Sequence, residues 1–174
     1  MKRHLEKLCG ETLELHAKSE PLIALGDEDS CMPIFERLVE LSEIAQDIAE
    51  KEGEGFWMAH YTVGLTLRVL QQFDDALKSF KKANDLNPNE VNTLKEIVLC
   101  LGELKLDKEA LRFSRKTVEL APKDHGAWGN LAMSLIQNGH RKEASEAINK
   151  AISLNPKDPI NRYIRDNFEN YFSK

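Results

Sequence analysis

The chain has 174 residues, 41% apolar and 30% charged, which suits a folded domain with a sizeable core and excludes a disordered polyelectrolyte. A net charge of −5 with no run of five basic residues argues against nucleic acid or anionic lipid as the main ligand. Three cysteines without a CxxC pair, no signal-peptide pattern and no apolar stretch near the ~20 residues of a membrane span predict a reduced, cytoplasmic setting.

In chain order, Leu5, Leu8, Thr12 and Leu15 recur at helical spacing and predict a first helix over 3–19. Pro21 to Pro33, enclosing Gly26-Asp27-Glu28-Asp29-Ser30, predicts an exposed polar loop. A second helix is expected over 33–52 from Ile34, Leu38, Leu41, Ala45 and Ile48. Residues 1–55 therefore read as an amino-terminal helical region.

Beyond it the sequence repeats. Pro88, Pro122 and Pro156 are 34 residues apart, closing the phrases Asp85-Leu86-Asn87, Glu119-Leu120-Ala121 and Ser153-Leu154-Asn155. Ala76, Ala110 and Ala144 keep the same step, as do Gly64, Val98 and Ala132. A period of this length marks units that bury their apolar faces only by stacking on one another. Counting back one period from Ala76 and Ala83 reaches Ser42 and Ala49, so the 33–52 helix can be read as half of a degenerate repeat.

Each unit carries two amphipathic helices. His60, Val63, Gly64 and Leu67 precede Ala76, Leu77, Phe80 and Ala83 in the first. Leu94, Ile97, Val98 and Leu101 precede Ala110, Leu111, Ser114 and Thr117 in the second. Trp128, Leu131, Ala132 and Leu135 precede Ala144, Ile148 and Ala151 in the third, with Gly139 in the turn. Asp74 is placed to cap the second helix of the first unit, and Asp124 and Asp158 to cap the helices after the prolines. Pro159 suits a first helical position. Tyr163, Ile164, Phe168, Tyr171 and Phe172 predict a carboxyl-terminal capping helix over 159–174.

These residues resemble the tetratricopeptide repeat, 34 residues with the pattern W-x2-L-G-x2-Y…A-x3-F…P. Trp128, Leu131, Ala132, Leu135, Ala144, Ile148 and Pro156 follow it, as do His60, Val63, Gly64, Leu67, Ala76, Phe80 and Pro88. The middle unit departs, with Val98 in the small slot and Ser114 in the aromatic one. The resemblance implies an all-α superhelical solenoid of three repeats, 57–90, 91–124 and 125–158.

It also implies a concave face lined by positions 2, 5, 9, 12 and 13 of each first helix, where a partner's peptide or helix docks. Carried over, the candidates are Met58, Tyr61, Leu65, Arg68 and Val69 in the first unit, and Asn92, Lys95, Leu99, Gly102 and Glu103 in the second. In the third they are Gly126, Gly129, Met133, Ile136 and Gln137. The carboxylate clamp of co-chaperones that hold the tails of Hsp70 and Hsp90 finds two matches in five, Lys95 and Asn130, with Leu99, Ile160 and Ile164 where polar groups belong. Position 9 is apolar throughout (Leu65, Leu99, Met133). Either a partner segment or the chain's own first helix is expected to cover that strip.

Motifs for catalysis, phosphate loops, metal or cofactor binding are missing from the sequence. His60 is expected to pack within the repeats, and His125 and His140 to be solvated near helix ends. The acidic run 27–29 is read as a polar loop rather than a cation site. The expected function is a non-catalytic adaptor for another protein. The alternative is an assembly subunit that self-associates into a homo-oligomer through the strip or the aromatic tail.

Overall fold

The 34-residue phase of the sequence reappears in the computed structural model, which describes residues 2–52 and 57–173. Among the described residues all regular elements are helical. They are α1 (Lys2–Leu25), α2 (Glu28–Glu52), α3 (Trp57–Val69), α4 (Phe73–Leu86), α5 (Val91–Glu103), α6 (Asp107–Leu120), α7 (His125–Gln137), α8 (Arg141–Leu154) and α9 (Pro159–Asp166), then a 3-10 turn, Phe168–Phe172. The starts of α3, α5, α7 and α9 are spaced by the sequence period, and so are those of α4, α6 and α8. The chain forms two compact units, Met1–Thr93 and Leu94–Lys174, with the division inside α5.

Every helix pair closes in the same way. Gln71, Lys105 and Gly139 stand one period apart with φ of 58°, 58° and 76°. The N–H groups of Gln72, Leu106 and His140 reach back to the carbonyls of Leu67, Leu101 and Leu135 at 2.8–2.9 Å. This left-handed ending satisfies carbonyls that the helix terminus would otherwise orphan. Glycine adopts it freely, whereas Gln71 and Lys105 adopt it against a steric penalty.

The turn also moves the predicted cap. Gln72, not Asp74, is the N-cap of α4, and its side chain accepts no bond from the helix. Asp74 lies inside the first turn, where its charge meets the positive end of the helix dipole. Asp124 and Asp158 do cap, accepting from the N–H of Ala127 at 2.9 Å and of Asn161 at 2.7 Å. Pro159 opens α9.

Within a pair, one slot must be small because its partner is large. Phe80 is fully buried, and a Cβ added to Gly64 would sit 2.6 Å from its ring. The third repeat fills these slots with Ala132 and Ile148, both buried. The middle repeat inverts the choice, with Val98 in the small slot and Ser114 in the large one. The hydroxyl of Ser114 meets that of Ser134 on α7 at 2.8 Å, which satisfies both in a buried setting. Ala76, Ala110 and Ala144 are fully buried, as the repeat phase demands.

The amino-terminal region departs from expectation. Residues 21–33 do not form a loop: α1 continues through Pro21 to Leu25, and α2 starts at Glu28 and continues through Pro33. The connection is Gly26, at φ 70°, and Asp27, whose carboxylate accepts from the N–H of Ser30 at 3.1 Å. The acidic run therefore caps and opens a helix. Each proline costs a helix hydrogen bond, and burial of Leu38, Leu41 and Ala45 on α2 and of Leu8 on α1 outweighs that loss. α2 ends at Glu52, one period before the end of α4. The side chains of Leu5 and Ala49 lie outside the described residues.

In the second unit α7, α8 and α9 pack around Leu131, Ala132, Leu135, Ala144, Ile148 and Ile164, with Phe168 and Phe172 against this core. α9 begins in the phase of a fourth first-of-pair helix but stops at Asp166, where the side-chain amide of Asn167 donates to the carbonyl of Tyr163 at 2.9 Å.

Candidate functional site

The second unit holds an open groove of about 410 Å³. Its apolar lining comes from Val98 and Leu99 of α5, Met133 of α7, and Ile160 and Ile164 of α9. Leu99 is 40% exposed and Ile160 69%, Met133 is half-buried, and Ile164 is buried. Amides of Asn130, Gln137 and Asn161 interrupt the apolar surface, and Glu103, Lys105 and Asp158 are the charged groups at its edge. The residues arrive together because helices in one repeat phase present the same positions on the same side.

Several expected site residues have other duties. Lys95 Nζ is 3.0 Å from Asp124 Oδ2, so its ammonium braces the α7 cap. Burial pushes the Asp124 carboxyl up, yet the Ala127 N–H and Lys95 hold it below its ordinary value of 3.8. Gly129 is closed off by Asn161, whose Oδ1 lies 2.1 Å from where a Cβ would stand. Asn161 is buried and donates through Nδ2 to the carbonyl of His125 at 3.2 Å. Asn92, in the first unit, is exposed and donates to Glu90 at 3.3 Å. His125 is not simply solvated: its Nδ1 lies 3.4 Å from Asp158 Oδ2 and its Nε2 3.3 Å from Asn155 Nδ2.

In the first unit the matching face of α3 is covered. Leu65, the repeat equivalent of Leu99 and Met133, is 1% exposed, and Tyr61 4%. These two do not present surface to a partner. Tyr61 packs on the Phe80 ring, centroids 5.7 Å apart, and helix α1 packs against α3. Leu8 shares a core cluster with Met58 and Ala59, the Cys9 thiol bonds to Thr62, and His16 contacts Arg68. Leu65 lies between Thr62 and Arg68 on that stripe. Of the two expected covers for the apolar strip, the chain's own first helix is the one found over α3.

Asn130, Asn161, Ile160 and Ile164 line the groove but were not among the docking residues read from sequence. The signal was present, since Ile160 and Ile164 fall at positions 2 and 6 of a fourth phase. In the sequence they enter only as mismatches to the carboxylate clamp, because 159–174 reads as a capping helix. Among the described residues no cluster of three or more His, Cys, Asp or Glu is placed to hold a metal ion. No described helix is long and apolar enough to cross a membrane. The thiols of Cys9 and Cys31 are pushed up chiefly by burial, which keeps them protonated and unreactive.

Helix pairs in strict 34-residue phase define the class of helix-pair repeat proteins. The sequence profile of the tetratricopeptide repeat matches residues 59–90 and 125–158, the first and third repeats, so these parts of the chain are similar to that family. A tetratricopeptide repeat-containing protein of Caenorhabditis elegans, trd-1, is 25% identical over 119 residues, 68% of this chain. The aligned region spans only 14% of that relative's length.

Among solved structures, MamA (41-end) from Desulfovibrio magneticus RS-1 superposes with a TM-score of 0.65 at 20% identity, covering 93% of this chain and 89% of its own. The first tetratricopeptide domain of Spaghetti (RPAP3), bound to the HSP90 peptide SRMEEVD, gives 0.63 at 14% identity, covering 68% and 94%. The Sgt2 tetratricopeptide domain from Aspergillus fumigatus gives 0.62 at 14%, covering 67% and 78%. At these identities the likeness is one of fold.

Proposed function

We propose that the chain is a non-catalytic protein-interaction module whose second-unit groove takes an apolar peptide or amphipathic helix of a partner protein. The observation that carries this reading is Leu99, 40% exposed in a groove continued by Met133 and Ile160. An apolar strip of this kind favours a partner that removes it from water. The repeat-family fold and the peptide seated on the Spaghetti domain support the class of function. A cytoplasmic setting belongs to the reading and is supported by the free thiols of Cys9, Cys31 and Cys100.

The chemistry of the groove argues against an acidic tail as its occupant. Lys95 is already engaged by Asp124, Ile160 and Ile164 stand where a carboxylate clamp needs cations, and Glu103 contributes a repelling charge. Self-association is the second reading, favoured by Ile160 and Tyr163, 69% and 64% exposed on adjacent turns of α9.

The test is Leu99→Glu, judged by circular dichroism and by titration against the partner recovered by cross-linking to the unmodified chain. The variant should stay folded and bind at least about tenfold more weakly, as for an apolar anchor at a groove centre. The peptide SRMEEVD should not bind either form. A folded variant with undiminished affinity refutes the groove, and a concentration-dependent mass abolished by the same substitution favours self-association.

A further inference from the structure

In the first unit the α1–α2 turn and the α3–α4 turn come together around an open pocket of about 400 Å³. Its apolar wall is Ile23 of α1, Phe35 of α2, and Val69 and Leu70 at the end of α3, with the buried Cys31 among them. Gly26 and Gln71 complete the rim, both left-handed, at φ 70° and 58°. Hydrogen bonds pin each turn: Asp27 N–H donates to the Leu22 carbonyl at 3.0 Å, and Gln72 N–H to that of Leu67 at 2.8 Å. The pocket is therefore preformed, and its size falls near the lower end of ligand pockets, roughly 300–1,000 Å³. Apolar surface continues beside it. Leu25, next to Gly26, is 81% exposed, and Met32, next to Cys31, 52%. An apolar patch rimmed by polar groups marks a contact for another protein.

Charge selects among partners. Residues 19–36 hold Glu20, Asp27, Glu28, Asp29 and Glu36 and no basic residue. Residues 69–77 add Asp74 and Asp75, again with no basic residue. Of the cations flanking these segments, Arg37 is held by Glu11 and Glu40, Lys78 is held by Asp75, and Arg68 contacts His16. Lys18 lies more than a turn before Ile23 on α1. Asp27 is committed to the start of α2, where its carboxylate accepts from Ser30 N–H at 3.1 Å, but Glu28 is exposed at the rim. The positive end of the α2 dipole, roughly half a charge, is outweighed by Asp27, Glu28 and Asp29 together. Burial first, and then the charges of Asp27 and Glu28, push the Cys31 thiol up, so the negative field reaches the pocket wall.

We propose that this pocket is a second docking site, and that its occupant is a basic segment of a partner protein carrying one large apolar side chain between lysines or arginines. The apolar side chain fills the space between Ile23, Phe35, Val69 and Leu70. The flanking cations meet Glu28 and the carboxylates of the two turns, which add selectivity more than affinity. The site is independent of the groove in the second unit, and the two can fail separately.

The probe is a capped five-residue peptide, phenylalanine with two lysines on each side, titrated into the isotope-labelled whole chain and followed by amide chemical shifts. It should move amides of residues 23–35 and 69–71 at concentrations up to about 5 mM, the range of a weak single-anchor contact. Alanine in place of the phenylalanine, or glutamates in place of the lysines, should abolish those shifts, and added salt should weaken them. Gln71→Lys puts a cation on the rim in a backbone that lysine already adopts, since Lys105 holds the same φ of 58° in the second repeat. That variant and Glu28→Gln should each bind about two- to fivefold more weakly, as for an exposed charge pair. Gln71→Gly changes the turn without changing charge and should bind as the unmodified chain does. Circular dichroism checks that each variant is folded. Absence of shifts at the highest concentration overturns the proposal, as do shifts confined to the second unit. An equal response to the glutamate peptide also overturns it, as does full affinity in folded Gln71→Lys and Glu28→Gln.

Discussion

Gly64→Ala is the sharpest probe of how these repeats hold together. Substituting alanine for glycine within a helix ordinarily stabilises by about 1 kcal/mol. Here the new methyl would meet three carbons of the Phe80 ring at 2.6, 2.7 and 2.9 Å. The ring is fully buried and packed on Tyr61, so it has little room to retreat. Overpacking of this kind costs about 1–3 kcal/mol, and the strain should prevail, leaving a net loss of about 1–2 kcal/mol. Phe80→Ile alone should lose a comparable amount by leaving a gap. The double variant recreates the Ala132 and Ile148 pairing of the third repeat and should recover at least about 1 kcal/mol against the sum of the singles. Urea unfolding followed by circular dichroism and by Trp57 fluorescence provides the measurement, since the Trp57 ring lies 6.0 Å from that of Tyr61. Additive losses in the double variant, or a stabilising Gly64→Ala, would refute the volume-exchange argument.

Lys105→Gly relieves a left-handed residue (φ 58°) and should stabilise by about 0.5–1 kcal/mol, raising the thermal midpoint. An unchanged or lower midpoint in a calorimetric scan would count against the strain. Asp124→Ala should cost about 1–2 kcal/mol through loss of the α7 cap. Because the Asp124 pKa is depressed, its contribution is present above its ordinary value of 3.8 and is lost as pH falls through the lower folded value. Unfolding measured from neutral to acid pH should therefore show the unmodified chain converging on the variant.

Much of this protein was legible from spacing alone. Three prolines, three alanines and the Gly64, Val98 and Ala132 series located the helix pairs, because a stacked repeat imposes one set of sterics on every unit. The capping roles of Asp124 and Asp158 were equally plain, being local hydrogen bonds between residues three apart. The left-handed turns at Gln71 and Lys105 were not, since only Gly139 carries the residue that advertises such a backbone. Pro21 and Pro33 misled for the opposite reason. A proline signals the hydrogen bond it removes, while the burial that outweighs the loss comes from residues distant in sequence. The docking stripe shows the same division. Periodicity assigned Leu65, Leu99 and Met133 to one position, but their exposure depends on what packs over them. Leu65 is buried in a unit where α1, α2 and α4 all pack on α3, whereas Leu99 is exposed and Met133 half-buried in the groove beside the short α9. Local sequence encodes which way a side chain points along its helix, and only long-range packing decides whether another element stands in front of it.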